Sequence, residues 1–184
     1  METNPWTTLH SKTVYDNKWI SVAEDEVINP NGGKGIYGKV HFKNIAIGIV
    51  AMDDQEQIWL VGQYRYVLNT YSWEIPEGGC PLDESPISGA IRELKEETGL
   101  EAKQWKELLR MHLSNSVSDE LAIVFLATEL TQSEPEPEET EQLRLQKISL
   151  SEAYKMVEMG MITDSISVAA ITKIKLLQLQ GKLL

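Results

Sequence analysis

The chain has 184 residues, 42% of them hydrophobic and 24% charged, the size and balance of one ordinary globular domain with room for a sizeable core. A single cysteine, Cys80, excludes a disulfide framework and a multi-cysteine zinc centre and suits a reducing, cytoplasmic setting; no apolar run approaches the ~18 residues of a membrane span, and the opening METNPWTTLH lacks the basic and apolar parts of a leader. The net charge of −11 argues against nucleic acid bound through a basic surface, but not against a small phosphate-bearing ligand, because a divalent cation can bridge carboxylates to phosphates.

The first forty residues read as strands. Val14, Trp19, Ile20, Val22 and Val27 are β-formers, and Asn29-Pro30-Asn31-Gly32-Gly33 is a strong turn signal, with Ile36 to Phe42 as the returning strand. Ile45 to Met52 is nearly continuous in apolar residues, as a buried strand is. Ile58 to Tyr64 forms another strand after Asp53-Asp54, and Tyr71 to Ile75 a short one that stops at Pro76 and Gly78-Gly79. A helix is expected after Ser85, a good N-cap followed by Pro86, with Gly99 as its C-terminal stop. Ala122 to Leu130 reads as a strand, Ser133 to Thr140 as an exposed Pro/Glu loop, and Leu143 to Ile148 as a further strand. Ser149 with Glu152 predicts a capped helix to about Met159, and Asp164 caps the last helix, whose core face includes Ile166, Ala170 and Ile174. No internal repeat or independent linker interrupts this order, which describes a mixed sheet packed by helices.

The acidic excess is local. Glu74 to Glu101 holds eight acids and two bases, net −6, and Glu134 to Glu141 holds five acids and no base, net −5. Within the first stretch, Glu93 and Glu97 are four apart on the helix, with Cβ atoms ~5–6 Å apart, and Glu96 lies beside them. At 100° per residue these carboxylates flank the apolar stripe rather than oppose it. Like charges so placed repel, so divalent cations would relieve the cluster, and Arg92 is spaced to pair with Glu96. A solvated acidic helix face is the plain alternative.

The whole pattern decides between them. Gly78, Glu84 and Arg92-Glu93-Leu94-Lys95-Glu96-Glu97-Thr98-Gly99-Leu100 match Gly-x5-Glu-x7-Arg-Glu-aliphatic-x-Glu-Glu-x-Gly-aliphatic at every specified position. A chance match is on the order of 10⁻¹⁰ per start position at average residue usage. The sequence therefore resembles the Nudix hydrolases. Weaker likeness extends from about Trp19 to Leu177, and the flank Gln63-Tyr64-Arg65 with Trp73-Glu74-Ile75-Pro76-Glu77-Gly78-Gly79 is similar to the ADP-ribose and nucleoside-diphosphate-sugar pyrophosphatases.

The resemblance implies an α/β/α sandwich with a mixed sheet. It implies a β subdomain over residues 1–43, exchanged across a homodimer, and a hydrolase domain over residues 44–184. It also implies hydrolysis of a nucleoside diphosphate sugar with Mg²⁺, or Mn²⁺, as cofactor, and no nucleic-acid or membrane partner. Glu93 and Glu97 would be the principal metal ligands, with Glu96 beside them and the backbone carbonyl of Glu77 completing a site. Gly78, Glu84, Arg92 and Gly99 would orient the box. Arg65 would contact the pyrophosphate, with an ion pair to Glu74 as the alternative or companion reading. Trp19 and Tyr37 match base-stacking positions, although Trp19 also reads as a packed strand aromatic. Ser114, Val117 and Glu120 are candidates for the sugar pocket. Glu139 and Glu141 match a loop that supplies a general base and a further metal ligand, in either order; Glu134 and Glu136 read as solvated loop. Ser114-Asn115-Ser116 stands where ADP-ribose-directed relatives carry Ser-Pro-Gly, which removes a restricted turn and makes a hexose-linked nucleotide such as a GDP- or ADP-sugar more plausible. A nucleoside triphosphate or dinucleoside polyphosphate hydrolase is the alternative within the family, and a non-catalytic nucleotide-sugar sensor the alternative outside catalysis. Cys80 has no base placed to activate it and is not a candidate nucleophile.

Overall fold

The computed structural model describes residues 3–132 and 143–183. The chain divides into two compact units, Met1–Asn44 with His112–Glu120, and Ile45–Met111 with Leu121–Leu184. In the first unit β1 (Thr7–Asp16), β2 (Ile20–Ile28) and β3 (Lys34–Phe42) form an antiparallel sheet in that order. The expected hairpin is β2–β3. Its turn is set by Asn29, whose Oδ1 accepts from Asn31 N and Gly33 N at 2.9 and 3.0 Å, and by Gly32 at φ +84°. Residues of the His112–Glu120 segment run along β3: Val40 N donates to Val117 O, and Asp119 accepts from Phe42 N and meets His41 Nδ1 at 2.5 Å. Every residue of β1 is exposed.

The second unit is built on β4 (Asn44–Ala51), β5 (Gln57–Arg65), β6 (Thr70–Glu74), β7 (Glu77–Pro81), β8 (Leu100–His112), β9 (Leu121–Gln132) and β10 (Arg144–Ser149), with α1 (Pro86–Thr98), α2 (Leu150–Glu158) and α3 (Ser165–Leu179). One sheet has the order β7-β4-β9-β8 and the other β10-β5-β6. β4 and β9 are parallel, with Ile47 opposite Ile123 and Ile49 opposite Phe125. Helices cover both faces of this pair, which is why both strands read as continuous apolar runs. Ile47, Ile49, Ala51, Ile123, Phe125 and Ala127 pack with Ala90 and Leu94 of α1. On the opposite face Gly48 lies so close to Ile166 of α3 that a Cβ there would fall 2.6 Å from it.

The three helices begin as the caps predict. The side chains of Ser85, Ser149 and Asp164 accept from Ser88 N, Glu152 N and Ser167 N respectively, and Gly99 ends α1 at φ 66°. Two strands go beyond the sequence reading. Gly78-Gly79 lies within β7 instead of ending the sheet, and the bare Cα of Gly78 serves a close approach described below. β8, rich in exposed charge and without a clean apolar period, is the edge of its sheet and takes its conformation from pairing with β9.

Candidate active site

The β6–β7 corner, Glu74-Ile75-Pro76-Glu77, and helix α1 place the box. The corner is held on two sides: Ile49 N of β4 donates to Pro76 O at 2.8 Å, and Ile75 N donates to the fully buried Ser167 Oγ of α3 at 2.9 Å. Helix α1 then brings Glu93 and Glu97 against β7. Both are buried, at 9% and 4% exposure, although they are charged, and buried carboxylates need partners. Glu97 Oε2 accepts from Glu77 N at 2.9 Å. Glu93 Oε1 accepts from Arg92 Nη1 at 2.8 Å.

Gly78 explains itself at this point. A Cβ built on it would lie closer than 3.0 Å to the carboxyl carbon and both carboxyl oxygens of Glu93. Its φ is not in the left-handed region, so glycine is required here by the close approach of the carboxylate and not by the backbone. Gly99 is the other case, required by its positive φ, with its N–H donating to Lys95 O at 2.9 Å.

Arg92 is the hub of the box. Nη1 reaches Glu93 and, at 2.9 Å, Glu96 one turn on; Nη2 donates to Gly79 O at 2.8 Å and reaches Glu84 at 3.4 Å. Burial opposes its charge, but these carboxylates outweigh burial and raise its pKa. One guanidinium thus ties helix, strand β7 and the intervening loop together, the bidentate geometry for which arginine is suited.

Arg65, at the end of β5, is the second cation. Its Nε and Nη2 bond both oxygens of Glu74, the shortest at 2.5 Å, and Nη2 also donates to Glu77 Oε1 at 2.6 Å. The ion pair to Glu74 anticipated from the sequence is therefore formed. The resemblance assigns a role only to the backbone carbonyl of Glu77; the bond from Arg65 to its side chain is a further contact. Burial, reinforced by the charges of Asp164 and Glu74, pushes the Glu77 carboxyl well above its ordinary pKa, and its Oε2 has no hydrogen-bond partner among the described residues. Glu74, Glu77 and Asp164 each offer a carboxylate oxygen within 4.8 Å of the others. Asp164 was visible in the sequence only as a helix cap; nothing in its spacing from the box, far away in the chain, signals this approach.

The remaining sequence-derived candidates fall in the first unit or outside the described residues. Trp19 is 59% exposed, with Lys18 Nζ 4.1 Å from its ring centroid, so the packed-strand alternative does not hold. Tyr37 lies on β3, its hydroxyl donating to Ser116 O at 2.6 Å and its ring edge-on to Trp6 at 5.3 Å. Ser114 is exposed, its carbonyl accepting from Val117 N and Ser118 N, and the carbonyl of Glu120 accepts from Leu113 N. Glu134, Glu136, Glu139 and Glu141 lie outside the described residues. Cys80 is buried against Gly89, and burial raises the pKa of its thiol, the opposite of an activated nucleophile.

The box residues expected to hold a metal offer only oxygen donors, the carboxylates of Glu93, Glu96 and Glu97 and the backbone carbonyls of β7, while among the described residues the three carboxylates that meet within 4.8 Å are those of Glu74, Glu77 and Asp164. That donor set, with the glycine cradle holding one carboxylate against the strand, fits a hard divalent cation of the Mg²⁺ class and not a soft one.

Comparison with known proteins agrees with this geometry. The NUDIX domain matches residues 42–163, and the nucleoside diphosphate sugar hydrolase N-terminal domain matches residues 6–40. The chain is 34% identical over 175 residues to a protein named ADP-ribose pyrophosphatase from Mycobacterium tuberculosis, covering 93% of this chain and 84% of that one. It is 31% identical over 171 residues to one of the same name from Bacillus subtilis, covering 92% of each. A crystal structure of an ADP compounds hydrolase superposes with a TM-score of 0.87 over 99% of both chains at 23% identity, which shows a shared fold. With the NUDIX domain spanning well over half of its length, the chain belongs to the Nudix hydrolase family.

Proposed function

We infer that the protein hydrolyses the pyrophosphate bond of nucleoside diphosphate sugars, releasing a nucleoside monophosphate and a sugar phosphate. The observation that carries this reading is the complete, interlocked box: Glu93 seated over Gly78, Glu97 bonded to Glu77 N, and Arg92 joining Glu84, Glu93, Glu96 and Gly79. A sensing domain that had left catalysis would have no reason to keep every carboxylate. The matched N-terminal domain and the relatives' names support a nucleotide-sugar substrate over a nucleoside triphosphate.

In this reading Glu93, Glu96, Glu97 and the Glu77 carbonyl hold Mg²⁺, with Mn²⁺ as a substitute. The bound cation would neutralise pyrophosphate charge and acidify the attacking water. Arg65 presents a permanent, planar cation to the substrate phosphates. A glutamate of the 134–141 loop, Glu139 or Glu141, takes the proton of the attacking water, the other adding to the metal site. Trp19 and Tyr37 stack on the base, and Ser114 and Glu120 face the sugar. Residues 1–43 act as a subdomain exchanged across a homodimer. The exposed apolar side chains of this segment, Leu9, Val14, Tyr15 and Ile36, support that assembly, since so much apolar surface in one small sheet is a mark of an interface. The single buried thiol supports a cytoplasmic setting.

The test is a product-resolved screen of ADP-ribose, ADP-hexoses and GDP-hexoses with Mg²⁺ in ¹⁸O-labelled water. A nucleoside monophosphate with a sugar phosphate, one of them carrying the label, is the expected result. Release of pyrophosphate from nucleoside triphosphates without cleavage of any sugar nucleotide would replace this reading with the triphosphate one, and tight binding without any phosphate-containing product would make the protein a sensor.

A further inference from the structure

Resting on that reading, we propose that Asp164 and the Glu77 side chain are positioning residues for Arg65. A bidentate pair with Glu74, Nε to Oε1 and Nη2 to Oε2, already satisfies the charge and direction of one guanidinium. The fold nonetheless adds a second carboxylate on Nη2, from Glu77, and brings the carboxylate of Asp164 within 4.8 Å of those of Glu74 and Glu77. Three acids around one base is not the arrangement that best stabilises a fold. It leaves the buried Glu77 Oε2 without a partner among the described residues and crowds three carboxyl groups together. A buried polar atom left so calls for an explanation other than stability.

The surroundings here are specific. Asp164 is fixed as the N-cap of α3, accepting from Ser167 N at 2.7 Å, and Ser167 in turn accepts from Ile75 N between the two glutamates. The first turn of α3 therefore holds both the corner that bears Glu74 and Glu77 and the third charge. The consequence for Arg65 is directional. Nε and Nη2 are committed to carboxylates, while Nη1 donates to none of the described residues and keeps two N–H groups for a substrate phosphate. With Nη2 pinned from two sides the guanidinium plane cannot swing, and the free edge is presented in one orientation.

The experiment is a double-mutant cycle. Asp164→Asn keeps an N-cap of equal quality and removes the charge; Glu77→Gln removes the second carboxylate and leaves the backbone carbonyl in place. Each is made alone and with Arg65→Ala, and kcat, KM, Tm and the Mg²⁺ activation curve are measured with the sugar nucleotide that the wild-type protein cleaves. In the Arg65 background, kcat/KM for that substrate falls about 10-fold, less than the loss a 1 Å displacement brings. The Tm stays level or rises, Mg²⁺ half-activation is unchanged, and in the Arg65→Ala background neither substitution has a further effect. Equal losses in both backgrounds together with a lower Tm would show a purely structural network. A large shift in Mg²⁺ demand would assign the three carboxylates to a cation instead. Wild-type turnover in Arg65→Ala would remove the arginine and this proposal with it, whereas a wild-type protein that cleaves no sugar nucleotide would overturn the functional reading itself.

Discussion

Gly78→Ala separates the cost of folding from the cost of function. A Cβ at this position lies closer than 3.0 Å to three atoms of the Glu93 carboxyl group, so the carboxyl must retreat by about 1 Å to regain van der Waals contact, a displacement that can cost ~100-fold in rate. The obstructing atoms are the far end of a flexible side chain, not backbone, and the φ of Gly78 is one that alanine can adopt. The fold therefore loses little beyond part of the Arg92–Glu93 hydrogen bond, about 1 kcal/mol for a charged bond on a guanidinium that is 35% exposed and keeps Glu96 and Gly79 O. For a chain of this length that is a Tm loss of about 2–4 °C. Thermal melting beside sugar-nucleotide turnover across a Mg²⁺ titration reads both quantities. Glu93→Asp, one methylene shorter, should recover part of the activity when combined with Gly78→Ala. Turnover of the single variant within threefold of wild type would refute the argument that the Glu93 carboxylate works from its seat over Gly78. A collapse of the melting temperature would refute the claim that the cradle is functional and not structural.

Glu97→Gln retains an oxygen to accept from Glu77 N, so the variant should melt like wild type yet lose ~100-fold or more in turnover; near wild-type turnover at saturating Mg²⁺ would sink the ligand assignment. Gly99→Ala places a side chain at φ 66° and should cost about 1–2 kcal/mol, read as a lower denaturation midpoint with unchanged substrate preference. Burial works to raise the pKa of Asp53, but Lys147 and the N–H groups of Gln57 and Gln55 outweigh it, so the folded value lies below the unfolded one. Its contribution to stability is therefore complete above the ordinary carboxylate pKa and lost as pH falls through the depressed value. Asp53→Asn should be less stable than wild type at pH 7, with the gap closing as the pH drops below about 4; a gap that widens in acid would contradict this sign.

The parts of the site legible in the sequence are those whose cause is local. The 100° step of a helix places Glu93, Glu96 and Glu97 beside the apolar stripe, an i,i+4 spacing pairs Arg92 with Glu96, and capping residues set the ends of α1. The buried core strand β4 was legible for a related reason: both of its faces are covered, so its composition reports burial without any need for period. What could not be read depends on contacts far apart in the chain. β8 has a polar, exposed pattern and owes its strand to its neighbour. β7 contains two glycines that argue against a strand until Glu93 is seen lying over one of them. Asp164 carries a complete local explanation as an N-cap, and that explanation conceals its second position beside Glu74 and Glu77.

The distribution of charge gains a physical account from the same contacts. Each of the two arginines at the site gathers its own set of acids, Arg92 taking Glu84, Glu93 and Glu96, and Arg65 taking Glu74 and Glu77. Glu97 Oε2 accepts from the Glu77 backbone N–H. The acids at the site outnumber these two arginines, and burial of Glu93, Glu97 and Glu74 makes their charge costly. Repulsion of this kind can be relieved by protonation or by a divalent cation. Protonation would remove the ligands that the helix spacing and the glycine cradle arrange, so binding of a divalent cation is the relief consistent with the geometry. It follows that the local net charge of −6 and the hydrolysis of an anionic substrate are compatible only when the cation is present, and that chelation should abolish turnover while leaving the arginine-linked framework of the box folded.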